Sequence, residues 1–441
     1  MKGFLPRARG ALSALRSKPS GVETTPGVGV TPMIGEIGAA LLAASQATSD
    51  VEETLKRLAV RYDRPDLRVF VLPTLVLIED PAATPAQTSI FPADKLTLRL
   101  DQSAAVESVL RRAFAEQTST VTLLEQIAAI RASRPRFGAV LTVLGYALLT
   151  VGFGLVSNPT VTALPVYVVL GVLVGSIVHL ASRVATLSLI LPVLTAFTVT
   201  LLISLLVRPL VHDDVLKLVA PSLVSFLPGL TLTIAAVELT SGQVMAGASR
   251  LVYGVARLGL LAFGVFAGIS VAGQPATPAV EGAELAAWAP WVGIGLVSLG
   301  YYLFSAAPRG SLIWILYALV VAYSAQLLGN VLVGPELSGL VGALIVIPAV
   351  HLAARLKAAP STAIMLSCAY WLLVPGAMGF IGLSEAAAGA AGAANTLLRT
   401  FGSLTAIAIG MMLGAGLSRD VTAFARGWRA TPRRIGATDD G

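Results

Sequence analysis

Apolar residues are arranged in two different ways along this chain, and the change falls near residue 135. Upstream they are short and periodic. Val51, Leu55, Leu58, Ala59 and Tyr62 recur at helical spacing, and Ser49 with Glu52 is placed as a capping box at the start of that helix. Leu67–Glu79 and Ser89–Leu100 are β-rich and separated by turn-forming residues around Pro81–Pro85, so each is expected to be a strand region. Val106, Val109, Leu110, Ala113 and Phe114 stripe a further helix, and Thr120–Ala132 a short one. A small α+β domain is therefore expected over residues 30–135, behind a flexible basic tail at 1–29.

After Arg134-Pro135-Arg136 the apolar runs lengthen to about 20 residues, the length an α-helix needs to cross hydrocarbon. Such runs lie near 137–156, 161–181, 184–207, 213–235, 246–272, 289–307, 311–332, 337–354, 362–383 and 398–417. Residues 273–288 form the longest connection and 419–441 a second basic tail. The expected fold is mainly α, a polytopic membrane protein of ten transmembrane helices behind a small α+β domain.

The short loops orient it. Arg134, Arg136, Arg183, Arg250, Arg309, Arg355, Lys357 and the C-terminal arginines fall on one side. Glu281, Glu284 and Glu336 fall on the other, with Arg208, Lys217 and Arg399 as exceptions. The positive-inside rule then places both termini and the α+β domain in the cytoplasm.

Residues 226–249 (FLPGLTLTIAAVELTSGQVMAGAS) and 373–396 (LVPGAMGFIGLSEAAAGAAGAANT) align without a gap at an offset of 147 residues. Pro228-Gly229 meets Pro375-Gly376, and Glu238 meets Glu385. Gly145-Tyr146 and Gly300-Tyr301 add a second likeness at a slightly different offset. Two five-helix repeats follow, at 136–272 and 289–418. Five is odd, so the second repeat enters the membrane inverted, as in secondary transporters.

Composition narrows the choice of function. The 441 residues are 55% hydrophobic and 12% charged, against about 25% charged in soluble domains, and mean hydropathy is +0.80. A soluble enzyme is excluded as the main reading. Cys368 is the single cysteine, which excludes a disulfide scaffold. The net charge of +7 is crowded into the tails, where it suits anionic lipid rather than nucleic acid. Arginine outnumbers lysine, and Ala, Val and Gly abound, which suits a high-GC bacterial genome and hence a bacterial inner membrane.

A Pro-Gly pair breaks a membrane helix and bares backbone polar groups, whose N-terminal ends attract a carboxylate. Pro228, Gly229, Thr233, Pro375 and Gly376 are therefore the candidate substrate-binding residues. Glu238 and Glu385 are candidates for binding a proton or a substrate ammonium, because intramembrane carboxylates usually face a cavity or a partner. Arg257, one heptad after Arg250, is placed to neutralise Glu238 or the substrate carboxylate, and His179 to relay a proton. His351, Gln326, Asn330 and Tyr323 are weaker candidates. Gly171/Gly175, Gly264/Gly268 and Gly410/Gly414 have small-xxx-small spacing and are expected to pack helices internally, leaving a homo-oligomer open. The chain carries no nucleotide-binding loop, HExxH or GxSxG, so gradient-driven transport without a cofactor is expected.

Ser49-Asp50-Val51-Glu52-Glu53-Thr54, Val69-Phe70-Val71-Leu72-Pro73-Thr74, and Phe226-Leu227-Pro228-Gly229 running through Glu238 to Gly247 together resemble the bacterial threonine/serine exporter family over roughly 30–418. Thr233-Ile234 replaces the Thr-Asn common in relatives. The resemblance implies export of threonine and serine in exchange for protons. One proton moving inward supplies about 2.3 kcal/mol per 100 mV, and a tenfold gradient costs about 1.4 kcal/mol. Two alternatives stand beside it: export of a dicarboxylate such as succinate, and a membrane-anchored sensor or enzyme working through the α+β domain.

Overall fold

The computed structural model describes residues 29–93, 97–116, 118–181, 185–207, 214–273, 284–356, 358–373, 380–384 and 393–430. Helix α1 (Val30–Ala43) opens an α+β unit, followed by α2 (Thr48–Arg61). Strands β1 (Arg68–Leu72), β2 (Leu75–Asp80) and β3 (Gln87–Pro92) form an antiparallel meander in the order β1-β2-β3. Helices α3 (Leu100–Ala115) and α4 (Thr120–Ala132) complete the unit.

The stretch expected as one strand at 67–79 turns back at Pro73-Thr74, pairing Leu72 with Leu75. Proline cannot donate to a ladder, so a hairpin is favoured there. Alternate residues of β1 and β2 are buried, among them Val69, Val71, Val76 and Ile78. They meet Ile34, Leu41, Leu55 and Leu58 of the helices in one core.

The membrane part is helical: α5 (Ala139–Ser157), α6 (Leu164–Ala181), α7 (Ala185–Leu202) with a π turn at Ile203–Val207, α8 (Val215–Ser222), α9 (Gly229–Thr240) and α10 (Val244–Ala272). Then come α11 (Ala289–Phe304), α12 (Leu312–Val333), α13 (Ser338–Ala353), α14 (Thr362–Leu373) and α15 (Ala393–Ala430). Among the described residues six helices are long and apolar enough to cross a bilayer. A seventh span arises if the pair Val215–Ser222 and Val224–Thr240, bent by 67°, counts as one. Helices α11, α13 and α14 coincide with expected spans but have only 16, 16 and 12 residues.

Some glycine contacts within α5–α10 have counterparts within α11–α15. Helices α5 and α11 run antiparallel, and Gly145 faces the Gly300 carbonyl while Gly300 faces that of Gly145. Gly152 and Gly293 are related in the same reciprocal way. A Cβ at any of the four would lie within 3.0 Å of backbone, so only glycine allows this approach. Gly264 packs on Val193 and Gly268 on Phe197 and Thr200. Gly410 packs on Leu340 and Gly414 on Leu344 and Ile347, the partners standing 147 residues further along and the glycines 146. Tyr146 of α5 donates to the Ser222 carbonyl at the end of α8, 2.8 Å, and Tyr301 of α11 meets Ser367 of α14 at 3.1 Å.

The α+β unit sits on one face of the membrane part. The Leu100 amide donates to the Ser305 carbonyl (3.2 Å), Arg136 to that of Ala307 (2.8 Å), and Thr48 to Glu238.

Candidate substrate site

The break between α8 and α9 follows from its sequence. A residue ahead of proline is pushed out of the helical region, and Leu227 is extended at φ −65°, ψ 123°. Pro228 becomes the N-cap of α9, and Leu232 N–H donates to the Pro228 carbonyl at 2.9 Å. The backbone amides of the first turn have no intrahelical acceptor. At the other side of the bend, the Tyr146 hydroxyl takes the carbonyl that α8 leaves free at Ser222. The helix is thus broken with the Ser222 carbonyl satisfied by a neighbouring helix.

A cavity of about 100 Å³ lies against the bend. Gly229 lines it, with Leu227 and Val224 at the break, Lys217 on α8, Ser157 and Asn158 at the end of α5, and Trp371 on α14. Trp371 and Ile381, on either side of residues 374–379, both border it. Pro375, Gly376 and Glu385 themselves lie outside the described residues. Thr233, one turn beyond Gly229, is buried with no hydrogen bond to its hydroxyl. The cavity therefore combines apolar walls, a helix N-terminus and one lysine among its lining residues.

Glu238 lies elsewhere, at the face that carries the α+β unit, and is 0% exposed. Its Oε1 accepts from Thr48 N–H and from the Thr48 hydroxyl, both at 2.9 Å. Its Oε2 is 3.1 Å from Nε of Arg250, and the same guanidinium donates to the Gln46 carbonyl at 3.3 Å. A Schellman turn sets this geometry. Gln243 N–H donates to the Glu238 carbonyl and Gly242 N–H to that of Leu239, with Gly242 at φ +85°. The reversal lays α10 back along α9 and brings Arg250 level with Glu238.

The helix α2 starts at Thr48, with Ala47 as a capping residue that offers no side chain, rather than at the Ser49 capping box. Its first amide is satisfied from the membrane part, by Glu238, which explains why no local cap is present.

Arg250, and not Arg257, is the partner of Glu238. Arg257 lies one turn past Gly254, which packs on Leu232 and near Pro228, and its buried Nε has no hydrogen bond. His179 falls in the last turn of α6 and is not among the residues that line the cavity. His351 bonds the Ile347 carbonyl of its own helix (2.9 Å), and Tyr323 stacks edge-on against Trp291. Sequence reasoning missed Thr48, which has no motif of its own, and Lys217, whose only signal was its misfit with the charge bias of the loops.

With this geometry established, comparison with known proteins gives one match: the family model described as "Putative threonine/serine exporter" covers residues 32–272, more than half of the chain. The chain belongs to this family. The match takes in the α+β unit, the broken span and the Glu238–Arg250 pair, and ends at the last residue of α10. No curated protein and no solved structure matches the chain. Membership and the long apolar helices together make it a multi-pass membrane protein of a transporter family.

Proposed function

We propose that the protein exports threonine and serine across a bacterial inner membrane, in exchange for protons, by alternating access. Its termini and α+β unit face the cytoplasm. The carrying observation is the recurrence of glycine contacts, Gly264 and Gly268 of α10 packed against α7 and Gly410 and Gly414 of α15 packed against α13, together with the reciprocal α5–α11 crossing. Such recurrence is what two inverted five-helix repeats would produce, and rocking of one against the other moves a central site between faces.

The cavity at the bend supports an amino-acid cargo. The positive end of α9 at Gly229 and the Lys217 ammonium suit one carboxylate. Trp371 and Phe153 supply apolar wall, and Asn158 and Ser157 are polar groups for the rest of a small zwitterion. A dicarboxylate would call for a second cation, and among the described lining residues Lys217 is the one cation. In this orientation the cavity opens on the outer half of the membrane, and the α+β unit covers the inner end of α9.

Counterflow in proteoliposomes tests the reading. Vesicles loaded with unlabelled threonine or serine should take up labelled threonine, and a pH gradient should change the rate. Uptake only with succinate loaded and labelled would replace the cargo, and no exchange of any of them would remove the transporter reading.

A further inference from the structure

Glu238 grips Thr48 through two atoms that a free hydroxy amino acid also possesses. The backbone nitrogen and the hydroxyl of Thr48 sit on adjacent carbons, and both donate to Oε1 of Glu238 at 2.9 Å. Free threonine and serine carry an ammonium and a hydroxyl in that same relation. Arg250, against Oε2, also holds the carbonyl of Gln46, an acceptor that a substrate carboxylate could replace. Glu238 is fully buried and Thr48 is 1% exposed, so the pair is sheltered from competing water.

We propose that Glu238 and Arg250 form the cytoplasmic binding site for the exported amino acid, and that Thr48 is a tethered stand-in that fills the site until free substrate displaces it. Oε1 of Glu238 takes the substrate ammonium and hydroxyl, and Arg250 takes its carboxylate. An ammonium carries a full charge where a peptide N–H carries a partial one, so the nitrogen contact is the stronger in the free amino acid. The tether compensates by holding Thr48 at an effective concentration on the order of millimolar. The site therefore opens to substrate only when cytoplasmic threonine is plentiful, which suits an exporter of surplus. Selectivity for hydroxy amino acids comes from the hydroxyl-to-Oε1 bond, which 2-aminobutyrate, threonine without its hydroxyl, cannot make.

This inference rests on the exporter reading, and the test separates the two. Binding of labelled threonine is measured on the full chain in nanodiscs for wild type, Thr48→Val, Thr48→Ser and Glu238→Gln, with 2-aminobutyrate as competitor. Wild-type counterflow is run alongside. Thr48→Val keeps the shape and the N–H but removes the hydroxyl, so threonine should bind about threefold to tenfold more tightly, the worth of one hydrogen bond. Thr48→Ser keeps both donors and should bind as wild type does. Glu238→Gln keeps an oxygen for the hydroxyl but loses the charge that holds the ammonium, so it should bind threonine about tenfold more weakly, and wild type should prefer threonine to 2-aminobutyrate. An unchanged dissociation constant in Thr48→Val or in Glu238→Gln, or a wild type without that preference, overturns the inference. Wild-type vesicles that exchange no threonine overturn the exporter reading itself.

Discussion

The two ends of α9 solve opposite problems. At its N-terminus the chain bares backbone amides beside an apolar cavity and leaves the Thr233 hydroxyl without a hydrogen bond. At its C-terminus the strong polar groups lie against one another and against the α+β unit: Glu238 accepts from Thr48, its Oε2 is 3.1 Å from Nε of Arg250 as an ion pair with neither atom in a hydrogen bond, and Arg250 donates to Gln46. Unsatisfied polar groups in a dry place are costly and tend to mark where a ligand supplies what is missing. Satisfied ones hold parts together. The Gly229 end of α9 thus borders a cavity that can receive a ligand, and the Glu238 end is closed by Thr48.

The largest expected effect breaks the closed end. Glu238→Ala strands the Arg250 guanidinium and uncaps α2, and removing one partner of a buried pair costs about 3–5 kcal/mol. Thermal unfolding of the full chain in detergent should show a large drop. A midpoint close to wild type would mean that the pair is not buried in solution.

Helix crossings come next. Gly300→Ala would drive a Cβ against the backbone of α5 at Leu149, and overpacking of this kind costs about 1–3 kcal/mol. On the same helix Gly295 has open space around its α-carbon, so Gly295→Ala should be neutral or slightly stabilising. Equal effects of the two substitutions would sink the close α5–α11 approach.

The open end is sharpened by Lys217→Ala. Loss of one charge-assisted hydrogen bond to a carboxylate should weaken threonine binding roughly tenfold. Unaltered binding would move the carboxylate site away from this cavity.

The smallest effects lie in the α+β unit and have opposite signs with pH. Hydrogen bonding to Arg64 holds the Asp80 carboxyl below its ordinary value. The increment of stability it adds is present above the usual carboxylate range and is lost as pH falls through the lowered value. Burial raises the Glu107 carboxyl, against smaller opposing effects of Ser361 and Arg111. Its contribution is therefore lost as pH rises through the raised value, and Glu107→Gln should remove that loss. Unfolding midpoints of the two variants Arg64→Met and Glu107→Gln across pH 3–7 would show whether the slopes diverge as stated.

Much of this was legible from residue order. The stripes of α2, α3 and α4 matched their helices because a soluble amphipathic helix writes its buried face into the sequence. The helix start at Pro228-Gly229 was legible from the pair together, since proline alone is no guide here: Pro192, Pro221 and Pro348 lie inside helices. The turn at Pro73-Thr74 was hidden inside a continuous apolar run, since the residues on both sides of it are equally strand-like. The start of α2 was misread for a different reason. Ser49 and Glu52 made a plausible local cap, and only the fold brings Glu238, 190 positions away, to the Thr48 amide. Helical spacing puts Arg250 and Arg257 on one face and alone cannot tell which of them meets a carboxylate on the neighbouring helix; the Gly242 turn decides for Arg250.

The central claim is that the cavity beside Gly229 takes the amino acid and is reached from outside. It is tested most directly by placing a cysteine at its rim, Ser157→Cys, in a background with Cys368→Ala. A membrane-impermeant maleimide is applied to the outer face of intact cells, with and without threonine or serine. The account predicts labelling from outside that threonine and serine slow and succinate does not. Labelling that is unaffected by either amino acid, or that occurs only after the membrane is opened, would contradict it.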